Sequence, residues 1–306
     1  MHHPEVSRRQ FFASTAAGLA LTLVPIRLGA VVAPPGWPIG CFNRPWSKWS
    51  YDVTLDGIKA AGYLMTGLLT PLPGQGEIFT GASATPEYLT DLKRKIAVRG
   101  LQVNMTALRV KSDLPFADAK ADTRQQLVNA GALGVEFALT FGESKSEYSA
   151  NYFRVMSDAA AFAHERGIKL VMKPHGGGTG TADEILDAIK TVGHANFKIW
   201  YDAGNIIYYT GKDPVAELEP ILPHVTGFCA KDCAVTIDAT GKPKREVMIQ
   251  FGLGEVNFLR VFQKLKAGGF NGPIMVECCH PGVTAAETTV NARANREFLE
   301  TTLAQL

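Results

Sequence analysis

The chain alternates between short apolar runs and longer amphipathic stretches, and this pattern predicts its fold. Each repeat takes about 30 to 35 residues and runs from an apolar segment of strand character through a polar loop to a stretch of helical periodicity. The eight apolar runs are residues 37–42, 63–69, 101–108, 134–140, 168–172, 197–201, 225–230 and 273–276. Eight strands are therefore predicted.

Amphipathic stretches between these runs predict helices over residues 85–99, 119–130, 148–166, 182–192, 256–267 and 285–304. Several helical stretches end in a glycine directly before the next apolar run, as at Gly62, Gly100 and Gly167, which is typical of helix C-caps. Strict alternation of eight such units predicts an α/β fold, a single (β/α)8 TIM barrel, over an open doubly wound sheet. No Gly-x-Gly-x-x-Gly follows the first apolar run, which argues against a dinucleotide-binding fold.

Residues 1–33 are predicted to be a twin-arginine export signal, followed by a barrel domain over residues 34–306. The segment Ser-Arg-Arg-Gln-Phe-Phe at residues 7–12 is a twin-arginine box, and a weakly apolar stretch over residues 13–24 follows it. That stretch is too short to span the roughly 20 residues that a bilayer requires. We therefore expect a periplasmic or otherwise exported protein with no membrane partner after cleavage.

The charge balance excludes one class of partner. Removing residues 1–33 takes three of the 31 basic and one of the 29 acidic residues, which leaves 28 of each. A neutral chain lacks the basic footprint of proteins that bind nucleic acid through its phosphates. The five cysteines show no zinc-finger spacing, and we interpret them as small buried hydrophobic residues.

Polar residues follow most of the apolar runs, where a barrel of this kind carries its chemistry. They are Asn43 and Arg44, Thr70, Arg109, Glu143, Lys173 and His175, Asp202 and Asn205, Lys231 and Asp232, and Glu277 and His280. A single lysine or aspartate on such a rim is usually a solvated loop residue or a helix cap. The convergence of the whole set predicts an active site at the rim.

The second half of the chain carries motifs of a known family. They are Trp-Tyr-Asp-Ala-Gly-Asn at residues 200–205, Ala-Lys-Asp at 230–232, Phe-Gly-Leu-Gly-Glu-Val-Asn-Phe at 251–258 and Met-Val-Glu at 275–277. In order and spacing they resemble strands six to eight of the sugar phosphate isomerase/epimerase group of xylose-isomerase-like TIM barrels. The resemblance covers essentially the whole chain after residue 33. It implies a divalent metal held by a Glu, an Asp, a His and a Glu after or on strands five to eight, with the two Glu moving a proton between neighbouring sugar carbons.

The chain keeps two of those four ligand positions and departs at two. Asp202 and Glu277 match, whereas Lys173 stands at the strand-five Glu and Cys229 at the strand-seven His. A protonated lysine cannot bind a metal. Strand alternation places His175 on the same face as Lys173, so His175, Asp202 and Glu277 are the predicted ligands of a divalent ion, Mn, Co, Zn or Mg. The alternative is that no metal binds and that His175 orients the substrate.

The charges of the other rim residues and their place at the barrel mouth suggest catalytic and substrate-binding roles. Two cations in a barrel mouth could hold a phosphate or carboxylate, stabilise an enediolate or supply a base, or could simply form ion pairs with nearby carboxylates. The predicted catalytic residues are Lys173, Lys231, Glu143 and Glu277, and the predicted substrate contacts are Asn205, Asp232, Arg109, His280 and Trp46.

The sequence thus predicts an exported, metal-assisted isomerase or epimerase that removes a proton next to a carbonyl on a sugar or keto-sugar. One alternative uses the same enolate for β-elimination, as a lyase on an oxidised glycoside. A phosphodiesterase similar to endonuclease IV is disfavoured, because only two histidines lie on the predicted rim. A sugar-binding barrel without catalysis is the third alternative, and the oligomeric state is left open.

Overall fold

The computed structural model of the protein describes residues 36–71 and 79–306. The predicted export signal, residues 1–33, lies outside the described residues, so that prediction and the domain boundary after it stay predictions. Within the described part of the chain, no helix is long and apolar enough to cross a membrane.

Eight parallel strands close into a barrel, which confirms the predicted (β/α)8 fold. They are β1 (Ile39–Phe42), β2 (Met65–Leu68), β3 (Gln102–Ala107), β4 (Phe137–Thr140), β5 (Lys169–Met172), β6 (Phe197–Asp202), β7 (Val225–Ala230) and β10 (Ile274–Val276). Each strand coincides with one predicted apolar run, because parallel strands buried on both faces are apolar along their length. Pairing of β1 with β10 closes the barrel.

Helices surround the barrel and follow the strands in alternation. They are α1 (Tyr51–Ala60), α2 (Pro86–Ala97), α3 (Phe116–Leu133), α4 (Ser146–His164), α5 (Ala182–Val192), α6 (Ala203–Thr210), α7 (Pro214–Leu218), α8 (Phe258–Ala267) and α9 (Ala285–Leu303). Helix α5 shows how local sequence sets these bounds: Thr181 and Glu184 form a capping box at its start, and Gly193 ends it with a left-handed φ of 66°.

A hairpin after β7 was not predicted. Its strands are β8 (Ala234–Ile237) and β9 (Pro243–Glu246), which pair antiparallel outside the barrel. Asp238 forms the turn by accepting backbone hydrogen bonds from Thr240 and Lys242 at 2.7 and 3.1 Å. The strands are short and largely exposed, so they lack the apolar run that identified the barrel strands.

Side chains fill the interior of the barrel. Phe42, Phe137, Trp200 and Met275 belong to one buried cluster there. A Cβ atom at Gly227 would lie 2.1 Å from the Trp200 ring, so glycine gives this large side chain its space. Because the interior is packed, a ligand has to bind at an end of the barrel.

Candidate active site

Four charged side chains meet at the carboxyl end of the barrel, and we call them the charge cluster: Lys173, Asp202, Lys231 and Glu277. Asp202 ends β6, and the other three directly follow β5, β7 and β10. These four strands are consecutive neighbours around the barrel, so their ends bring the four side chains together. Each residue is at most 2% exposed.

Both lysines of the charge cluster bridge both carboxylates. The Lys231 ammonium nitrogen lies 2.8 Å from Glu277 Oε1 and 3.1 Å from Asp202 Oδ2. The Lys173 ammonium nitrogen pairs with Glu277 Oε2 and lies 3.5 Å from Asp202 Oδ2. The ion pairs that the sequence left open as an alternative are therefore present. Removing one partner of such a buried arrangement leaves an uncompensated charge.

Glu277 also forms an ion pair with a cation outside the charge cluster. Its Oε1 also pairs with Arg44, which follows β1, and its Oε2 accepts a hydrogen bond from the Cys229 thiol at 3.0 Å. Burial acts to raise the pKa of Glu277, but its three neighbouring cations hold that pKa well below its usual range. Glu277 is thus a stable anion at neutral pH.

Lys231 is held in place by an amide side chain. Its ammonium donates to Asn205 Oδ1 at 2.9 Å, and Asn205 Nδ2 in turn donates to the Pro174 carbonyl at 2.7 Å. Burial acts to lower the pKa of Lys231, but the two carboxylates of the cluster raise it well above its usual value. Lys231 therefore remains a cation, and Asn205 positions it.

The two carboxylate oxygens of Asp202 have different partners. Its Oδ1 caps α6 by accepting from the Asn205 backbone N–H at 2.9 Å. Its Oδ2 forms ion pairs with both lysines, at 3.1 Å from the Lys231 and 3.5 Å from the Lys173 ammonium nitrogen, but accepts no hydrogen bond. A buried oxygen without a hydrogen bond is rare in folded proteins, and here the two ammonium groups beside it compensate its charge.

Asp232, a predicted substrate contact, holds a loop. Its Oδ1 accepts from the backbone N–H groups of Cys233 and Val256 at 2.8 and 3.1 Å, and its Oδ2 accepts from those of Gly252 and Gly254 at 3.0 and 2.9 Å. A Cβ atom at Gly254 would lie 2.2 Å from this carboxylate. The side chain is fully buried and fully used, so it positions the loop before α8 and has no oxygen left for a substrate.

His175 does not join Asp202 and Glu277. β5 ends before Lys173, so strand alternation does not extend to His175. Its ring nitrogens lie 3.2 and 3.0 Å from the Tyr209 hydroxyl, and its ring makes an edge contact with Phe141. Although part of the residue is exposed, burial of the ring and then the two lysines of the cluster lower the pKa of His175 to about 4. The imidazole is neutral at neutral pH.

Arg109 and Glu143 lie on the rim after β3 and β4. The Arg109 guanidinium lies 5.0 Å from the centroid of the Phe141 ring, and the Lys173 ammonium lies 5.4 Å from the same centroid. Arg109 is therefore next to the charge cluster with one ring between them. Glu143 accepts hydrogen bonds from the Ser112 hydroxyl and from a backbone N–H two residues further on, both within its own rim loops.

The contacts of Trp46 and His280 are with residues outside the charge cluster. The Trp46 ring is fully buried, packs on Gly57 of α1 and donates to the Thr289 hydroxyl of α9 at 3.4 Å. This is ordinary core packing, and the ring offers no stacking face to a sugar. His280 is exposed, and its backbone N–H donates to Gln250 Oε1 at 3.3 Å.

The ligand atoms of Asp202, Cys229 and Glu277 lie within 4.8 Å of one another, so by distance alone this group could hold a metal ion. Its charges do not fit one. Two unit charges 4 Å apart interact by about 4 kcal/mol at an effective dielectric constant of 20, and a divalent ion beside one ammonium doubles that repulsion. Burial and the two carboxylates also raise the pKa of Cys229 well above its usual value, so its sulfur is a thiol and not the thiolate that binds metals.

Two members of the site were not among the predicted site residues. Arg44 was predicted on the rim without a role; it reaches Glu277 because β1 and β10 are neighbours where the barrel closes. Cys229 was noted as a departure from the family pattern and interpreted, with the other cysteines, as a small buried hydrophobic residue. Cys229 lies on β7, two residues before Lys231, and residues i and i+2 of a strand share a face. This spacing could have predicted that the Cys229 side chain lies on the same face as Lys231.

Comparison with known proteins places the chain in a family. A family model described as xylose isomerase-like TIM barrel matches residues 55–302. The fold resembles a xylose isomerase-like TIM barrel protein from Mycobacterium smegmatis in complex with magnesium, with a TM-score of 0.71, 16% identity and coverage of 88% of this chain and 97% of that one. It also resembles D-psicose 3-epimerase with D-tagatose from Clostridium cellulolyticum H10, with a TM-score of 0.65, 14% identity and coverage of 87% and 99%.

A xylose isomerase domain protein from Planctomyces limnophilus gives a TM-score of 0.64 at 19% identity, over 87% of this chain and 95% of that one. At these identities the likeness concerns the fold alone. A search of curated proteins finds no match for the chain.

Proposed function

This chain belongs to the xylose isomerase-like TIM barrel family, and on that premise we propose that it is a sugar isomerase or epimerase that removes a proton next to a carbonyl. The observation that carries the proposal is the charge cluster, which sets a carboxylate oxygen without a hydrogen bond beside two ammonium groups at the carboxyl end of the barrel. Sugar 3-epimerases among the proteins of similar fold support a carbohydrate as the substrate class.

Asp202 Oδ2 is the proposed proton acceptor. It is buried, it accepts no hydrogen bond, and it is the one oxygen of the two cluster carboxylates without a donor. Glu277 is a weak base, because three cations lower its pKa. The two carboxylates thus differ in role: Asp202 takes the proton from carbon, and Glu277 holds the cations.

Lys173 and Lys231 are the proposed stabilisers of the enediolate. When Asp202 removes the proton, the electrons of the C–H bond move to the carbonyl oxygen, and a nearby ammonium group stabilises the negative charge that forms there. If the neighbouring hydroxyl passes its proton to that oxygen and Asp202 returns its proton to the former carbonyl carbon, the carbonyl moves by one position and the result is isomerisation. Return of a proton to the opposite face of the carbon that lost it, from an ammonium group, gives epimerisation, after which Asp202 gives up its proton to that lysine.

Exchange of substrate hydrogen with solvent tests this proposal. The protein is incubated in D2O with a panel of free and 3-keto sugars, and loss of the C–H signal next to the carbonyl is followed by proton NMR. We expect exchange with at least one sugar, and a rate lower by about 100-fold or more in Asp202→Asn, the range typical for loss of a general base.

Asp213→Asn is the matched control, because Asp213 caps α7 as Asp202 caps α6 but lies outside the charge cluster. Its exchange rate is expected to equal that of the wild type. An Asp202→Asn variant that exchanges at the wild-type rate would exclude Asp202 as the base. Release of a leaving group with an unsaturated product would identify the lyase alternative, and sugar binding without exchange would identify a non-catalytic barrel.

Export by the twin-arginine route is a separate part of the proposal. It rests on the twin-arginine box at residues 7–12 and the weakly apolar stretch behind it. Replacing Arg8 and Arg9 by lysine is expected to leave the protein in the cytoplasm, as fractionation with an antibody would show. Unchanged export would refute this part alone.

A further inference from the structure

The space between the carboxylates of Asp202 and Glu277 is filled by ammonium groups. Lys173 and Lys231 each contact both carboxylates, and both cations are buried with them. A divalent ion held by Asp202, Cys229 and Glu277 would bind to the same oxygens. The lysines and a metal ion therefore compete for one place.

The formal charges of the site favour its occupation by the two lysines over its occupation by a divalent ion. Lys173, Lys231 and Arg44 contribute three positive charges against the two negative charges of Asp202 and Glu277. The carboxylates are thus already more than neutralised, and a divalent ion would raise the net charge of a buried site from one to three. Such a site repels cations and attracts anions.

We propose that Lys173 and Lys231 replace a divalent metal in this chain, so that the active site excludes metal ions and acts through ammonium groups. Two ammonium groups beside the carboxylates can donate hydrogen bonds to two adjacent substrate oxygens, such as a carbonyl and the neighbouring hydroxyl. They thereby supply the electrostatic stabilisation of an enediolate that a Lewis acid supplies elsewhere. This catalytic consequence rests on the proposed function, but the exclusion of metal does not.

Metal binding is measured directly, without a substrate. Purified wild-type protein is analysed for metal content by inductively coupled plasma mass spectrometry and is titrated with Mn2+ by calorimetry. We expect no stoichiometric metal and no saturable binding at millimolar Mn2+. The double variant Lys173→Met/Lys231→Met keeps all three donor groups and removes both ammonium groups, so we expect it to bind Mn2+ at least about 100-fold more tightly than the wild type.

Lys169→Met is the matched control, since Lys169 lies at the other end of the same strand and pairs with Glu136 in solvent. It is expected to bind Mn2+ no better than the wild type. Stoichiometric metal in the wild type, or a double variant with unchanged Mn2+ affinity, would overturn the proposal. If the double variant does not fold, the wild-type measurements decide the question alone. Absence of metal together with absence of hydrogen exchange would leave this inference standing and remove the proposed function.

Discussion

Strand β5 carries a lysine at each end, and the two lysines have opposite surroundings. Lys169 starts the strand and pairs with Glu136 at 3.0 Å, where the two side chains are 48% and 55% exposed. Lys173 directly follows the strand and lies between Glu277 and Asp202, all three almost fully buried. A lysine thus forms a solvated surface pair at one end of β5 and belongs to a buried network just beyond the other end.

The amino-terminal and carboxyl ends of the barrel also differ in the space around these lysines. The amino-terminal end opens into a cavity of about 1100 Å3, and Lys169, Glu136 and Asn104 are among its lining residues. None of the predicted site residues lines that cavity. Space alone therefore does not identify the site in this barrel; the position of buried, mutually paired charges at the carboxyl ends of the strands does.

The largest effect is expected from removing the anion that holds the network together. Glu277→Gln leaves three cations near a neutral amide in a buried site, and we expect the free energy of unfolding to fall by roughly 3 to 5 kcal/mol in urea denaturation. Glu136→Gln breaks the exposed pair at the other end and is expected to cost about 1 kcal/mol or less. Equal losses for the two variants would mean that the buried network is not special.

Charge reversal at Lys173 and at Lys169 compares the part that each end of β5 has in catalysis. Lys173→Glu removes a stabilising cation and adds a third carboxylate beside two others, so we expect a less stable but folded protein whose exchange rate is lower by about 100-fold or more. Lys169→Glu is expected to retain the wild-type rate, measured as initial deuterium incorporation. Wild-type or better activity in Lys173→Glu would show that Lys173 is incidental and that a two-carboxylate shuttle operates.

A smaller effect concerns the histidine at the edge of the site. Titration of His175 followed by NMR is expected to give a pKa of about 4. Since the ordinary value is 6.5, the unfolded chain binds more protons between these values, and the contribution of His175 to stability falls as the pH drops through that window. Lys231→Met is expected to raise the pKa of His175 by removing a positive charge. A pKa near 6.5 in the wild type would show that the ring does not sense the lysines.

The strands were predictable because each is a continuous apolar run, and the rim residues followed from where those runs end. The partners of the rim residues were not predictable in the same way. Lys173 and Glu277 are 104 positions apart, and their contact depends on how the barrel closes. The charge of each residue was visible in the sequence, but the choice between metal ligand and ion pair depends on distances that a sequence does not contain.

His175 and Asp232 show two further limits of the sequence. The expectation for His175 assumed that β5 continues to residue 175, whereas the strand ends at Met172 and the glycine-rich loop turns the imidazole toward Tyr209. Asp232 carries the charge expected of a ligand-binding residue, but the nearby Gly-Leu-Gly segment brings backbone N–H groups onto its carboxylate. Whether such a residue faces a ligand or binds the protein's own backbone depends on the path of the loops.

In the proposed mechanism, buried lysines and not a metal ion assist proton removal. The most direct test is hydrogen exchange by protein dialysed against EDTA, compared with the same protein after addition of Mn2+. We predict equal exchange rates in the two samples and loss of exchange in Asp202→Asn. Exchange that disappears with EDTA and returns with Mn2+ would contradict this mechanism.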